Sequence, residues 1–212
     1  MEKKIEGVDN TQLDVLKEIG TIGSGNAVTA LAGLLNRDIN MSVPEAEVVP
    51  FNDIVNVMNG PESTVAGMLV DMSGELSGYV LLVLDIHNAY TMVSMAMNED
   101  RPVPKNLSAE NFGDMELSVL TEVANILVGS YLSSIGVMTG LKITPSVPQA
   151  AIDMLGAIMS IAAIEYGRIG DSVLFMKTKF TDMDKEEMSG HFFLIPDYES
   201  YKILMKSLGM EP

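Results

Sequence analysis

The feature that most constrains this chain is that it repeats itself. When the sequence is displaced by 104 residues, Leu13, Val15, Leu16, Glu18, Ile22 and Gly25 fall on Leu117, Val119, Leu120, Glu122, Ile126 and Gly129. Without a gap, Ile39, Ser42, Val43, Pro44 and Ala46 fall on Ile143, Ser146, Val147, Pro148 and Ala150. That gives 11 identities over the 34 positions from Leu13 to Ala46. Unrelated segments of this composition share about two or three, and a duplication this long requires the fold to be assembled from two similar halves.

The remainder of each half matches once small gaps are allowed. VAGMLVDM (Val65 to Met72) pairs in type with SVLFMKTKF (Ser172 to Phe180), and GYVLLVLD (Gly78 to Asp85) with GHFFLIPD (Gly190 to Asp197). An amphipathic helix follows each, over His87 to Met97 and Tyr198 to Leu208. Each half therefore reads as long helix, strand, irregular segment, two strands joined by a turn, and short helix. The turns are MSGELSG (Met72 to Gly78) and TDMDKEEMSG (Thr181 to Gly190). The repeats cover about residues 11–98 and 114–210, and meet at the Pro-rich, charged NEDRPVPKNLSAEN. Tightly connected consecutive strands favour antiparallel pairing. The expectation is one α+β domain over residues 1–212 with an internal pseudo-twofold duplication. Its central sheet is mostly antiparallel and six-stranded, with the long helices packed on a face.

Composition narrows the function. Apolar residues make up 47% and aromatics 6%, so a chain of 212 residues can bury a real core. No cysteine is present, which excludes thiol and disulfide chemistry. The net charge is −16 and the 13 Lys and Arg are scattered, which speaks against binding nucleic acid or an anionic membrane. The start, MEKKIEGVDN, lacks the apolar run of a secretory signal, and MLGAIMSIAAI (Met154 to Ile164) is too short to span a bilayer. A cytoplasmic location is expected. The 17 methionines fill core gaps or line adaptable binding surfaces, and core filling is the safer reading.

Within the repeat, one pattern carries chemistry. Residues at i, i+4 and i+7 share a helix face, so Ser118, Glu122, Asn125 and Gly129 form one polar stripe on an otherwise apolar helix. Buried and unpaired, Glu122 would cost several kcal/mol. The stripe is therefore expected at the surface, presenting one anion and one carboxamide. The first half repeats the layout with Asp14, Glu18 and Thr21. A Glu on a helix surface is usually only solvated, but the same Glu at the same place in both halves argues for more. A proline stands 26 residues after each Glu, at Pro44 and Pro148, although a proline there can simply bound a strand.

These residues resemble the phosphatase signature of the CheC/CheX/FliY family of bacterial chemotaxis proteins. That signature is Asp or Ser, three residues, Glu, two residues, Asn, twenty-two residues, Pro. Ser118-x3-Glu122-x2-Asn125-x22-Pro148 matches it throughout, and Asp14-x3-Glu18-x2-Thr21-x22-Pro44 departs from it only at Thr21. Two copies point to the CheC branch, as do LKEIGTIGSGNA (Leu16 to Ala27) and GYVLLVL (Gly78 to Leu84). The resemblance implies hydrolysis of the aspartyl phosphate of the response regulator CheY, which brings its own Mg²⁺ and a lysine. Asn125 would place the attacking water and Glu122 would pair with the CheY lysine, and no metal of the protein's own is implied. The first site, with Thr21, is expected to be weak or to dock through Glu18 alone. The resemblance also implies CheD, a receptor deamidase, as a partner. Its contact is expected on QAAIDMLGAIMSIA (Gln149 to Ala162), read as helical, with Asp153 as candidate.

Other motifs carry less. GTIGSGNA (Gly20 to Ala27) lacks the Walker lysine and a preceding strand, so close helix packing is the better reading. His87 and His191 have no metal-ligand spacing. DMDKEE (Asp182 to Glu187) lacks the spacing of a calcium loop, and Ser108 is positioned to cap the helix that follows it. Two rival functions stand beside the phosphatase. One is a non-catalytic CheD-binding adaptor. The other is a flagellar-switch-like CheY-binding protein, which would need an appended domain or an N-terminal peptide.

Overall fold

A computed structural model describes residues 10–42, 45–50, 53–57, 60–99, 101–165, 172–182 and 187–209. In chain order these form α1 (Asn10–Leu35), β1 (Ile39–Met41), β2 (Glu45–Pro50), α2 (Ile54–Val57), β3 (Thr64–Gly74), β4 (Gly78–Asp85) and α3 (Ile86–Ala96). The second half follows with α4 (Asp114–Thr139), β5 (Ile143–Pro145), β6 (Gln149–Met154), α5 (Leu155–Glu165), β7 (Ser172–Asp182), β8 (Glu187–Pro196) and α6 (Tyr198–Ser207). The class is α+β, and every strand pairing is antiparallel.

The strand order is β1-β7-β8-β4-β3-β5, with β2 also on β7 and β6 also on β3. Exchanging the halves (β1 for β5, β2 for β6, β3 for β7, β4 for β8) reverses this order and leaves it otherwise unchanged. A pseudo-twofold axis therefore runs between β4 and β8, where Leu81 lies opposite Phe193. The first strands of each half pair with the other half's β3 or β7, so neither half owns a complete sheet.

The sheet has eight strands where six were expected. The strand after each long helix is broken in two. Pro145 lies opposite Met72 and Gln149 opposite Leu69, so three residues face two, a β-bulge. Ser146 secures it, donating its N–H to the Asp71 carbonyl at 2.9 Å and accepting the Asp71 N–H on Oγ at 2.9 Å. Pro148, which has no N–H for a ladder, sits buried in this bulge. The first half shows the same one-residue excess between Met41 opposite Phe180 and Glu45 opposite Lys177, and Ser42 donates to the Lys179 carbonyl at 3.0 Å. Pro44 lies outside the described residues. The segment from Gln149, expected to be helical, is also corrected: it is strand to Met154, and helix begins at Leu155. Its Ala, Ile and Met suit either state, and pairing with β3 decides.

Period-two alternation places the core on both faces. Val80, Leu82 and Leu84 of β4 join the clusters under α1, α3 and α4, whereas Leu81 and Val83 join one with Ile54, Leu155 and Ile158. The long helices do pack on one face, and α2 and α5 cover part of the other. Gly67 makes room there, since a Cβ on it would come within 2.7 Å of Ile158 Cδ1.

The long helices pack side by side and antiparallel. Leu16 and Ile19, near the start of α1, share a cluster with Leu132 and Ile135, late in α4. Leu31 and Leu35 share the other with Leu120 and Val123. Close approach is possible because Gly23 lies against the Tyr131 ring. Ser24 Oγ donates to the Gly20 carbonyl at 2.8 Å, so the Tyr131 hydroxyl is the donor in its 2.9 Å bond to Ser24 Oγ. α4 is long and apolar enough by length and composition to cross a membrane. Its apolar residues instead form much of the core.

β8 carries a half-buried His191 whose pKa is pushed down to about 4, first by burial and then by Lys177 on the neighbouring strand. A lowered native pKa means that the unfolded chain takes the proton more readily. His191 therefore contributes no penalty above about pH 6.5, and stability declines as pH falls from there towards 4. We expect the stability difference between wild type and His191→Gln to shift by on the order of 2–3 kcal/mol between pH 7 and pH 4, read from urea midpoints. A pH-independent difference would contradict the assignment.

Candidate active site

α4 is a rigid platform. Its first turn is closed by Glu116, whose carboxylate accepts the Gly113 N–H at 3.0 Å, and it ends at Gly140 in the left-handed region (φ 76°). Arg101 hydrogen-bonds both Glu99 and, at 3.0 Å, Glu116, which ties the segment joining the halves onto the helix start. That bond from Arg101 holds the Glu116 carboxyl below the usual carboxylate range. Ser108 serves a three-residue 3-10 turn rather than α4, its N–H donating to Asn111 Oδ1 at 2.9 Å.

Ser118, Glu122 and Asn125 are all exposed on α4, while Leu120, Val123 and Ala124 between them and Leu127 just beyond are buried. Glu122 and Asn125 stand three residues apart, roughly 4.5 Å along the axis. Neither makes a side-chain hydrogen bond or ion pair with another described residue. A carboxylate and a carboxamide are thus held side by side on a fixed helix, free to meet a partner. The carboxamide can both donate and accept. Pro148 lies in the bulge before β6, whose Ala150 and Ile152 pack against the Leu120 and Val123 cluster.

The first-half stripe is laid out alike but differs chemically. Asp14 and Glu18 are exposed, with Lys17 Nζ 3.7 Å from the Asp14 carboxylate. Thr21 is half-buried and donates its hydroxyl to the Lys17 carbonyl at 2.8 Å. Its oxygen is held close to the helix and has no proton left to offer outward. Because Gly23 lies against Tyr131 in an antiparallel pair, Asn125 is level with about residue 29 of α1. The two stripes are therefore offset by roughly 12 Å along the helices. They form two sites. Asp153 is separate again, exposed on β6, with its carboxylate accepting the Met154 N–H at 2.7 Å. What sequence reading missed is the support: the Ser24–Tyr131 seam, the Arg101–Glu116 tie and the Ser146 bulge. The small residues of Gly20 to Ala27 signalled close helix packing but not its Tyr131 partner, the repeated Ser-Val-Pro signalled the bulge region, and nothing signalled the Arg101–Glu116 tie.

The CheC-like family model matches residues 12–48 and 115–152, one segment in each half, each containing a stripe. The CheY-P phosphatase CheC of Bacillus subtilis (strain 168) is 33% identical over 206 residues, 96% of this chain and 96% of the relative. The chain belongs to the CheC-like family. The flagellar motor switch phosphatase FliY of the same organism is 27% identical over 149 residues, 70% of this CheC-like chain and 38% of FliY. Among solved structures, Thermotoga maritima FliY superposes with a TM-score of 0.74 at 19% identity, covering 95% of this chain and 98% of that one. The FliM middle domain from H. pylori gives 0.65 at 10% identity, covering 94% and 99%. At these identities the two structures show the fold, and both family segments fall on the long helices and the bulged strands.

Proposed function

We propose that this protein hydrolyses the aspartyl phosphate of the response regulator CheY, with the whole chain acting as one unit of two repeats, about residues 11–98 and 114–210. The observation that carries the reading is the exposed Glu122–Asn125 pair on α4, set against full-length similarity to a CheY-P phosphatase. Phosphoryl transfer is catalysed mainly by positioning and by stabilising charge, and an aspartyl phosphate already sits among its own protein's Mg²⁺ and lysine. What the site adds is a placed water. The Asn125 carboxamide accepts a hydrogen from that water and directs its lone pair in line with phosphorus. Glu122 pairs with the CheY lysine and fixes the register. No histidine, nucleophile or resident metal enters the scheme, and the Mg²⁺ belongs to CheY. Ser118 and Pro148 frame the site. Glu18 docks in the first half, and Thr21 leaves that site weak.

The −16 charge fits protein partners rather than nucleic acid or membrane. CheD is assigned to the β6 edge, where Asp153 and Met154 (51% exposed) are presented and where only β3 pairs among the described strands.

The test is the decay of phosphorylated CheY with added protein. Wild type accelerates it. Glu122→Ala removes a charge-assisted bond and raises the half-saturating concentration about tenfold or more. Unchanged decay with wild type, with or without CheD, would leave the adaptor as the reading.

A further inference from the structure

Few large apolar side chains stand exposed on the described surface, and one of them lies in line with the second stripe. Met115, in the first turn of α4, is 63% exposed. It precedes Glu122 by two helical turns, on the same face and roughly 10 Å along the axis. Val103 is 41% exposed and lies two residues beyond Arg101, whose bond to Glu116 brings this segment to the same end of α4. Arg101 offsets one of the two charges of Glu99 and Glu116 at that end. One positive charge against two, with exposed Asp114 in the same turn, leaves this corner net negative, so its exposed apolar side chains and not its charge set it apart. The position matching Met115 in the first repeat is Thr11, so the apolar side chain and the carboxamide occur in the same half.

We infer that Met115, with Val103 on the segment that Arg101 ties to the same end of α4, is the apolar anchor on which the phosphorylated response regulator seats, and that it selects the second site over the first. The inference rests on the proposed phosphatase reading. A flexible thioether suits a protein surface that must be covered and released many times. Glu122 then sets register, Asn125 sets turnover, and Met115 sets affinity without touching the reacting atoms. A lone exposed methionine needs no explanation. One in line with a docking carboxylate, at the end of α4 where a second exposed apolar residue is tethered, extends that site.

The experiment measures two quantities for wild type, Met115→Ser, Met115→Leu and Met115→Ser/Val103→Ser. One is the dependence of CheY-phosphate decay on protein concentration. The other is the Kd for CheY activated with beryllofluoride. Met115→Ser is expected to raise KM and Kd about tenfold with kcat unchanged, the double variant to raise them further, and Met115→Leu to stay near wild type. Unchanged melting temperatures show that the fold is kept. KM and Kd within twofold of wild type in the double variant would overturn the anchor, as would a fall in kcat alone. If wild type does not hasten decay, the phosphatase reading has failed, and the Kd comparison alone decides whether Met115 anchors CheY.

Discussion

Tyr131→Ala is expected to lower stability by about 3–5 kcal/mol, the range for removing a large aromatic from a packed core. Tyr131 is 1% exposed, its ring centroid lies 4.6 Å from that of Phe192, and its hydroxyl holds Ser24. The change empties the seam between α1 and α4 and loses a bond across it. Ser24 stays satisfied through the Gly20 carbonyl, so the cost is mostly packing. For a chain of this size the melting temperature should drop by roughly 10 °C. Gly23→Ala probes the other side of the seam. The new Cβ would stand 2.6 Å from Tyr131 Cδ1, and overpacking of about 1–3 kcal/mol outweighs the ~1 kcal/mol gained by removing a glycine from a helix. Gly25→Ala, where an added Cβ meets nothing within 4 Å, keeps the propensity gain and should stabilise. Equal effects of Gly23→Ala and Gly25→Ala in thermal melts would show that the seam is not as described.

Asn125→Ala is expected to slow phosphorylated CheY decay at saturating protein on the order of a hundredfold, the scale of losing one positioning contact, while KM changes little. The side chain is exposed and bonds no described residue, so the fold should be indifferent to the change. Asn125→Asp should not rescue it. A carboxylate can accept from the water but cannot donate, and its charge would stand beside the phosphoryl oxygens. A variant that instead raises KM with kcat intact would make Asn125 a docking residue.

The stripe was legible because a helix converts spacing into a face, and because repetition separated Glu18 and Glu122 from ordinary surface glutamates. The α+β class and the antiparallel pairing followed from short turns between apolar runs. Strand order was not legible, since β1 and β2 pair with β7 about 130 residues away, and no local pattern records such pairing. The bulges were hidden for the same reason. Ser-Val-Pro repeated visibly, but a break in register exists only relative to the partner strand. Gln149 to Met154 was expected to be helical from the family resemblance, and pairing with the edge of β3, about 85 residues earlier in the chain, makes it strand. At the first site, Thr21 was visibly the odd residue. That its hydroxyl is already used on the Lys17 carbonyl is a fact of packing and rotamer.

The most direct test of the account is the first-order decay constant of phosphorylated CheY at saturating protein, measured for wild type, Asn125→Ala and Asn125→Ala/Thr21→Asn. The account predicts strong acceleration by wild type, almost none by the single variant, and partial recovery when the carboxamide is restored on α1. Decay with Asn125→Ala as fast as with wild type would contradict it, because the group held to place the water would then be dispensable.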